Sequence, residues 1–244
     1  MTTLGANIAA TLRGLGIEPP AADPAKVQAL AGTIAPGRDR RRAKATELEA
    51  RYAREDMLAA IAKYPAQAGF PARAVDWLSR NGEPKYPEPV VDRIVAACLD
   101  ARMAVLLGDR GRGKTLASVA AGLRLCMAGA RVKYAKVADY IADLRHRCWT
   151  EKEMAESAWL ARESREVPVL ILDEWQERGD TDSEAALLTR IIDHRYDRIA
   201  ATVLVTNLTP AEFARRMPAS IVSRLHECGE SVVFGWGSYR RSNP

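Results

Sequence analysis

An apolar run that breaks straight into a glycine-rich turn, and then into a helix of small residues, confines a chain to few folds. Here the run is Met103 to Leu107 and the turn is Gly108-Asp109-Arg110-Gly111-Arg112-Gly113-Lys114-Thr115. This is the G-x-x-x-x-G-K-[ST] pattern in full. Glycines at 108, 111 and 113 let the backbone take positive φ and approach an anion with no Cβ in the way. The turn aims successive N–H groups inward at the N-terminus of a helix beginning near Lys114, which makes a nest for phosphate. Lys114 brings a point charge to the β- and γ-phosphates, and Thr115 offers a hydroxyl to Mg²⁺. The Ala/Leu-rich stretch Leu116 to Met127 supplies the helix that such a loop requires. The expected ligand is therefore a nucleoside triphosphate with Mg²⁺. Arg110 and Arg112 add phosphate attraction or face a neighbouring subunit.

From residue 103 onward, apolar runs alternate with helix-forming stretches. The expected strands are 103–107, 131–135, 167–172, 202–205 and 231–234. Helices are expected over 114–127, over 137–165 with a break near 148–150, over 183–199, and in two short pieces at 210–216 and 218–227. Alternating β and α with apolar strands implies an α/β fold with a parallel sheet covered on both faces.

Three further stretches carry chemistry. Val169-Leu170-Ile171-Leu172 runs into Asp173-Glu174, and adjacent acids at the end of a strand downstream of a phosphate loop suit Mg-nucleotide hydrolysis. Asp173 is placed to hold Mg²⁺, directly or through water, and Glu174 to orient and deprotonate the attacking water. A small-molecule kinase has no need of that glutamate, so hydrolysis is expected over phosphotransfer. Next, Thr202-Val203-Leu204-Val205-Thr206-Asn207 ends in an amide that reaches the γ-phosphate or, alternatively, caps the turn before Pro210. Lastly, Ser223-Arg224-Leu225 puts an arginine on a short helix before the last strand. There it extends to a neighbouring subunit's γ-phosphate, with Arg215 and Arg216 as nearby competitors.

Bulk properties set limits. The chain has 244 residues, 48% apolar and 27% charged, room for one large domain or for one medium and one small. No run approaches the length of apolar residues needed to span a bilayer, and the N-terminus lacks the pattern of a secretory leader. Cys98, Cys126, Cys148 and Cys228 lie far apart with no C-x-x-C, so neither a zinc knuckle nor a disulfide framework is read. These features suit a cytoplasmic protein with no membrane partner. A net charge of +5 permits a nucleic-acid partner without requiring one.

Ahead of the alternating region, residues 37–65 are rich in Ala, Glu, Arg and Leu and favour helix. Ala45, Leu48, Tyr52, Ala59 and Ala62 share one side, with Met57 and Ile61 elsewhere. The basic cluster Arg38, Arg40, Arg41, Arg42 and Lys44 touches nucleic acid or opens a solvated helix. Residues 65–89 carry Pro65, Gly69, Pro71, Asn81-Gly82, Pro84, Pro87 and Pro89 and read as a boundary. The expected division is a helical N-terminal region with linker over 1–85 and an ATPase domain over 86–244. Pro89 opens a helix through about Arg102, with Val91, Ile94, Val95 and Cys98 on its buried side.

With LLGDRGRGKT, LILDE, VLVTN and SIVSRL in this order, and with the ending VVFGWGSYRR, residues 90–241 resemble the AAA+ ATPases of the DnaC-type helicase loaders and IstB-type transposition ATPases. The ending Trp236-Gly237-Ser238-Tyr239-Arg240 is similar to the W-x-S-Y-R of bacterial helicase loaders. The resemblance implies a P-loop NTPase core of the AAA+/ASCE class with strand order 5-1-4-3-2 and no C-terminal lid. It also implies ATP-dependent self-assembly into a homo-oligomer, an arginine finger at Arg224 and a C-terminal arginine near the nucleotide at Arg240. A helical insertion between strands two and three is associated in this family with single-stranded DNA, and VADYIADLRHRCW looks similar. Arg145, Arg147 and Trp149 at its end would form a basic groove with an aromatic stacker. The family role of the N-terminal region is to contact a replicative helicase, which is the expected partner. The alternative is an IstB-like helper that assembles on DNA and recruits a transposase.

Overall fold

A computed structural model describes residues 54–100, 102–150, 156–175 and 182–238. The chain divides into two units, Met1–Ala53 and Arg54–Pro244, and every described residue lies in the second. The basic cluster at 38–44 therefore lies outside the described residues.

The second unit is built on five strands: β1 Met103–Leu107, β2 Val132–Lys136, β3 Val169–Asp173, β4 Ala201–Val205 and β5 Glu230–Val233. They pair in the order β2-β3-β4-β1-β5, and every pairing is parallel. Read from the other edge this is 5-1-4-3-2, the expected order. All five residues of β1, of β3 and of β4 are buried. A strand sandwiched by helices on both faces has no solvent side, so it carries an unbroken apolar run in place of alternation.

The pleat still sorts those residues onto two cores. Ala104 and Leu106 join one cluster with Ile171, Val203, Val205 and Val232. Met103, Val105 and Leu107 join the other with Leu170, Leu172 and Leu204. Helix α5, Lys114–Met127, covers the first face together with α4, Val90–Leu99. Helices α6 Val137–Thr150, α7 Glu156–Glu166, α8 Asp182–Asp197, α9 Pro210–Arg216 and α10 Ala219–Cys228 follow in sequence. Their apolar residues Tyr140, Trp159, Leu188, Phe213 and Ile221 belong to the second.

Upstream of α4, a helix α1 over 54–63 is followed by α2, Pro65–Ala68, and α3, Ala72–Asn81. Two expectations change here. The buried stripe of α1 is Met57 and Ala60, with Ile61 and Tyr64 packed beside them, whereas Ala59 and Ala62 are exposed. Positions 57, 60, 61 and 64 follow the i, i+3, i+4, i+7 spacing of one helix face, and the larger side chains win it. The prolines of 65–89, read as linker, act instead as helix starts. Pro65 opens α2, Pro71 caps α3 and Pro89 caps α4. Phe70, Ala74 and Leu78 lie in the same core cluster as α5 and the sheet. Phe70 packs so tightly on α5 that a Cβ at Gly122 would lie 2.7 Å from its ring. The stretch 54–85 is thus part of the unit that carries the sheet. No helix among the described residues is long and apolar enough to cross a membrane.

Candidate nucleotide-binding site

In a parallel sheet every strand ends at the same edge, and loops leaving that edge gather side chains from distant parts of the sequence. β1 leads into Gly108–Gly113, β3 delivers Asp173 and Glu174, and Asn207 follows β4, which lies between β1 and β3. Residues of all three segments line one open cleft of about 1050 Å³. Arg110, Gly111, Gly113, Lys114, Thr115, Asp173, Glu174 and Asn207 are all on its wall.

The loop takes the conformation its glycines allow, with φ of 125° at Gly108, 81° at Gly111 and 93° at Gly113. At Gly108 the reason is also steric, because a Cβ would sit 2.7 Å from the Phe234 carbonyl oxygen. Gly113 is the N-cap of α5, so the helix N-terminus, with its free N–H groups and partial positive charge, faces the cleft. Lys114 is 5% exposed. Its Nζ donates to the carbonyls of Gly108 at 2.6 Å and Asp109 at 2.7 Å. Burial pulls the ammonium pKa down to about 8, against the pull of Asp173 and Asp109, which raise it. Arg112 pairs with Asp109 at 3.1 Å.

Thr115 Oγ1 donates to Asp173 Oδ2 at 2.8 Å, and the phenol of Tyr134 on β2 donates to the same oxygen at 2.6 Å. The Glu174 N–H donates to Asp173 Oδ1 at 2.7 Å. Burial first, then the neighbouring carboxylate, push the Tyr134 hydroxyl far above its ordinary range, so it stays a donor. A threonine hydroxyl and a carboxylate in hydrogen-bond contact are hard oxygen donors suited to Mg²⁺, which takes one or two protein ligands and completes its shell with phosphate and water. The donor set fits the ion.

Glu174 sits in the left-handed region at φ 60°, a conformation that costs a non-glycine residue about 1–2 kcal/mol. It turns the chain so that Glu174 lines the cleft while Trp175, 1% exposed, enters the second core. Lys136 at the end of β2 holds the Glu174 carboxylate at 2.7 Å.

Arg224 is not brought to this cleft. It lies on α10, paired with Asp193 of α8 and with its guanidinium 4.9 Å above the Tyr196 ring. Arg145 and Arg147 are exposed near the end of α6, where Arg147 pairs with Asp143 at 2.9 Å. The Trp149 side chain and all of Arg240 lie outside the described residues.

Sequence reasoning missed several residues that shape the site. Tyr134 and Lys136 come from β2, whose pairing with β3 sets Lys136 opposite Asp173. Trp77, Arg73 and Arg80 of α3 also line the cleft, on a helix that reads as linker because of its flanking prolines. The one signal for Tyr134 is a polar tip at an inward strand position, since a buried tyrosine needs a hydrogen-bond partner.

Comparison with known proteins agrees with the fold. A family model described as IstB-like ATP binding protein matches residues 45–243. No curated protein matches the chain. Among solved structures, the crystal structure of the DnaC helicase loader resembles it with a TM-score of 0.50 and 23% identity, over 61% of this chain and 93% of that one. AMPPCP-bound DnaA from Aquifex aeolicus does so with a TM-score of 0.50 and 21% identity, over 62% of this chain and 46% of that one. At such identities the likeness speaks for the fold alone. The family model spans well over half of the sequence and contains every element of the cleft from α3 to Asn207. The chain belongs to the IstB-like ATP-binding proteins.

Proposed function

We propose that this protein is an ATP-hydrolysing switch that places a replicative helicase on single-stranded DNA in the cytoplasm. The observation that carries the reading is the convergence of Lys114, Thr115, Asp173, Glu174 and Asn207 on one cleft at the phosphate loop. In that cleft the N–H groups of Gly111 to Thr115 surround the β-phosphate, and Lys114 exchanges its two loop carbonyls for phosphate oxygens. Mg²⁺, when bound, neutralises charge that develops on the phosphates. Thr115 and Asp173 are the residues that hold it. Glu174 takes a proton from the water that attacks the γ-phosphorus as the bond to the ADP oxygen breaks, and the Asn207 amide orients that water. Arg224 does not line its own cleft, as suits a finger that serves the γ-phosphate of a neighbouring copy in an ATP-dependent homo-oligomer. Arg240 is assigned a contact with the nucleotide from its place in the W-x-S-Y-R motif alone.

The helicase partner is proposed from the W-x-S-Y-R motif, which is like that of loaders; the solved structure described as the DnaC helicase loader shares the fold. The N-terminal region contacts the helicase, and Arg145, Arg147 and Trp149 contact single-stranded DNA. A second reading, a helper that recruits a transposase to DNA, draws support from the IstB-like description of the family.

Affinity capture from the native host with the Glu174→Gln variant and ATP tests the reading. That variant is expected to bind ATP and lose turnover by roughly a hundred- to ten-thousand-fold, which keeps partners on the ATP form. Recovery of the replicative helicase is the expected result; recovery of a transposase without helicase overturns the loader reading in favour of the second. Unchanged hydrolysis by the variant removes Glu174 as the base.

A further inference from the structure

A phosphate nest works only if the loop's carbonyls point away from the anion, and each carbonyl so turned needs its own partner. In this loop the accounting is specific. The Gly108 and Asp109 carbonyls accept from Lys114. The Arg112 carbonyl accepts from the indole Nε1–H of Trp236 at 3.1 Å. The Gly113 carbonyl accepts the N–H of Ala117 at 2.9 Å and the phenol of Tyr86 at 2.8 Å. Lys114 has to leave its carbonyls to meet a phosphate. The bonds from Trp236 and Tyr86 have no such conflict.

The two donors are held as one piece. Tyr86, in the segment before α4, stacks edge-on against Phe234 at 5.7 Å and tilts against Trp236 at 5.4 Å. Phe234 and Trp236 are 4.8 Å apart. Phe234 is itself fixed to the strand that feeds the loop, its N–H donating to the Leu107 carbonyl at 2.8 Å. Its own carbonyl is the atom that excludes a side chain at Gly108. A triad of rings from both flanks of the core, residue 86 before it and residues 234 and 236 after it, thus backs the phosphate loop.

We infer that Tyr86 and Trp236 are positioning residues for nucleotide binding. They hold the Arg112 and Gly113 carbonyls outward, so that the N–H groups of the loop are aimed before a ligand arrives. The inference rests on the reading of the cleft as an ATP site. It adds a means by which the segments before and after the core set nucleotide affinity: displacing Trp236 unlatches the Arg112 carbonyl, and displacing Tyr86 removes one of the two donors on the Gly113 carbonyl.

Tyr86→Phe removes only the donor, and Trp236→Phe removes the donor with part of the indole while keeping an aromatic ring in the triad. With either, Kd for Mg-ATP and for Mg-ADP, measured by titration calorimetry below the melting transition, is expected to weaken together by roughly two- to tenfold, the scale of one hydrogen bond's bias on a pre-set loop. Amide hydrogen exchange of residues 111–114 without nucleotide is expected to be faster in both variants, while exchange in β1, β3 and β4 is not. Loop exchange equal to the parent's overturns the inference, as does weakening for ATP alone, which places the effect at the γ-phosphate. If the parent protein binds neither nucleotide, the ATP reading fails. The exchange measurement still decides whether the two donors hold the loop.

Discussion

Lys114 is the residue at which structure and chemistry meet most sharply. A buried ammonium on two carbonyls is held in place for an anion and is uncomfortable without one, which is why its pKa falls to about 8. In the unfolded chain it keeps its proton up to about 10.5, so between those values the unfolded chain binds more protons than the folded one. The penalty Lys114 places on folding is therefore full below pH 8 and relieved as pH rises above it. Lys114→Met is expected to abolish ATP binding and to melt higher than the parent at pH 7 in the absence of nucleotide, with the gap closing from pH 8 to pH 10. Melting curves of the two proteins across that range check it; a gap that is constant with pH assigns the difference to packing. Above pH 8 ATP binding should also take up a proton, read as a dependence of the calorimetric heat on buffer ionisation enthalpy. The loop motif itself singles out Lys114, but the depressed pKa comes from the burial that the fold imposes, against Asp173 and Asp109, which raise it.

At the scale of elements, the ends of α5 and α8 are a matched pair. In α5 the N–H groups of Gly129 and Ala130 return to the carbonyls of Cys126 and Leu125; in α8 those of Ile199 and Ala200 return to Tyr196 and Arg195. Both are Schellman closures with a left-handed residue after the helix, Gly129 at φ 88° and Ile199 at φ 55°. A β-branched residue resists that conformation, and Ile199 is 74% exposed, so it gains little burial in return. Ile199→Gly is expected to stabilise the protein by about 1 kcal/mol and Gly129→Ala to destabilise it by about as much. Urea denaturation of the two variants measures both. The stop after α5 is marked in the sequence by Gly129, two residues beyond Met127. The stop after α8 was read near the right place with no residue to mark it, because Ile199 is the wrong type for its backbone. The failure at α1 has a related origin. A composition rich in alanine offers several weak stripes, and only contact with the sheet unit selects Met57 and Ala60.

At the scale of the whole molecule, the cleft and Arg224 are separate features of one chain. Arg224 lines neither the loop nor Asp173, and it is parked on Asp193 and Tyr196. If it serves a neighbour, Arg224→Ala lowers turnover by roughly a thousandfold or more, as loss of an arginine finger does, and leaves ATP binding by the single chain intact. Mixing Arg224→Ala with Glu174→Gln is then expected to recover part of the activity. An interface that joins the glutamate of the first to the arginine of the second is complete. A steady-state assay of the mixture decides this, and no recovery above the two separate activities assigns Arg224 a role within its own chain.

The sequence by itself determined the loop, the acids after β3, the amide after β4 and the order of elements. Each is a local pattern: a glycine spacing that fixes backbone freedom, or an apolar run that ends where a strand must end. The tertiary structure decided which distant groups serve those patterns. It set Tyr134 and Lys136 beside Asp173 and Glu174 by strand pairing, and brought Tyr86 and Trp236 to carbonyls of the loop. It also folded a proline-rich stretch, read as linker, into the wall of the cleft. Apart from the polar tip of an inward tyrosine at 134, these contacts have no sequence signature, because hydrogen bonding and ring packing depend on where the chain returns in space. That return is set by burying the two faces of the sheet, a property no short stretch of residues carries.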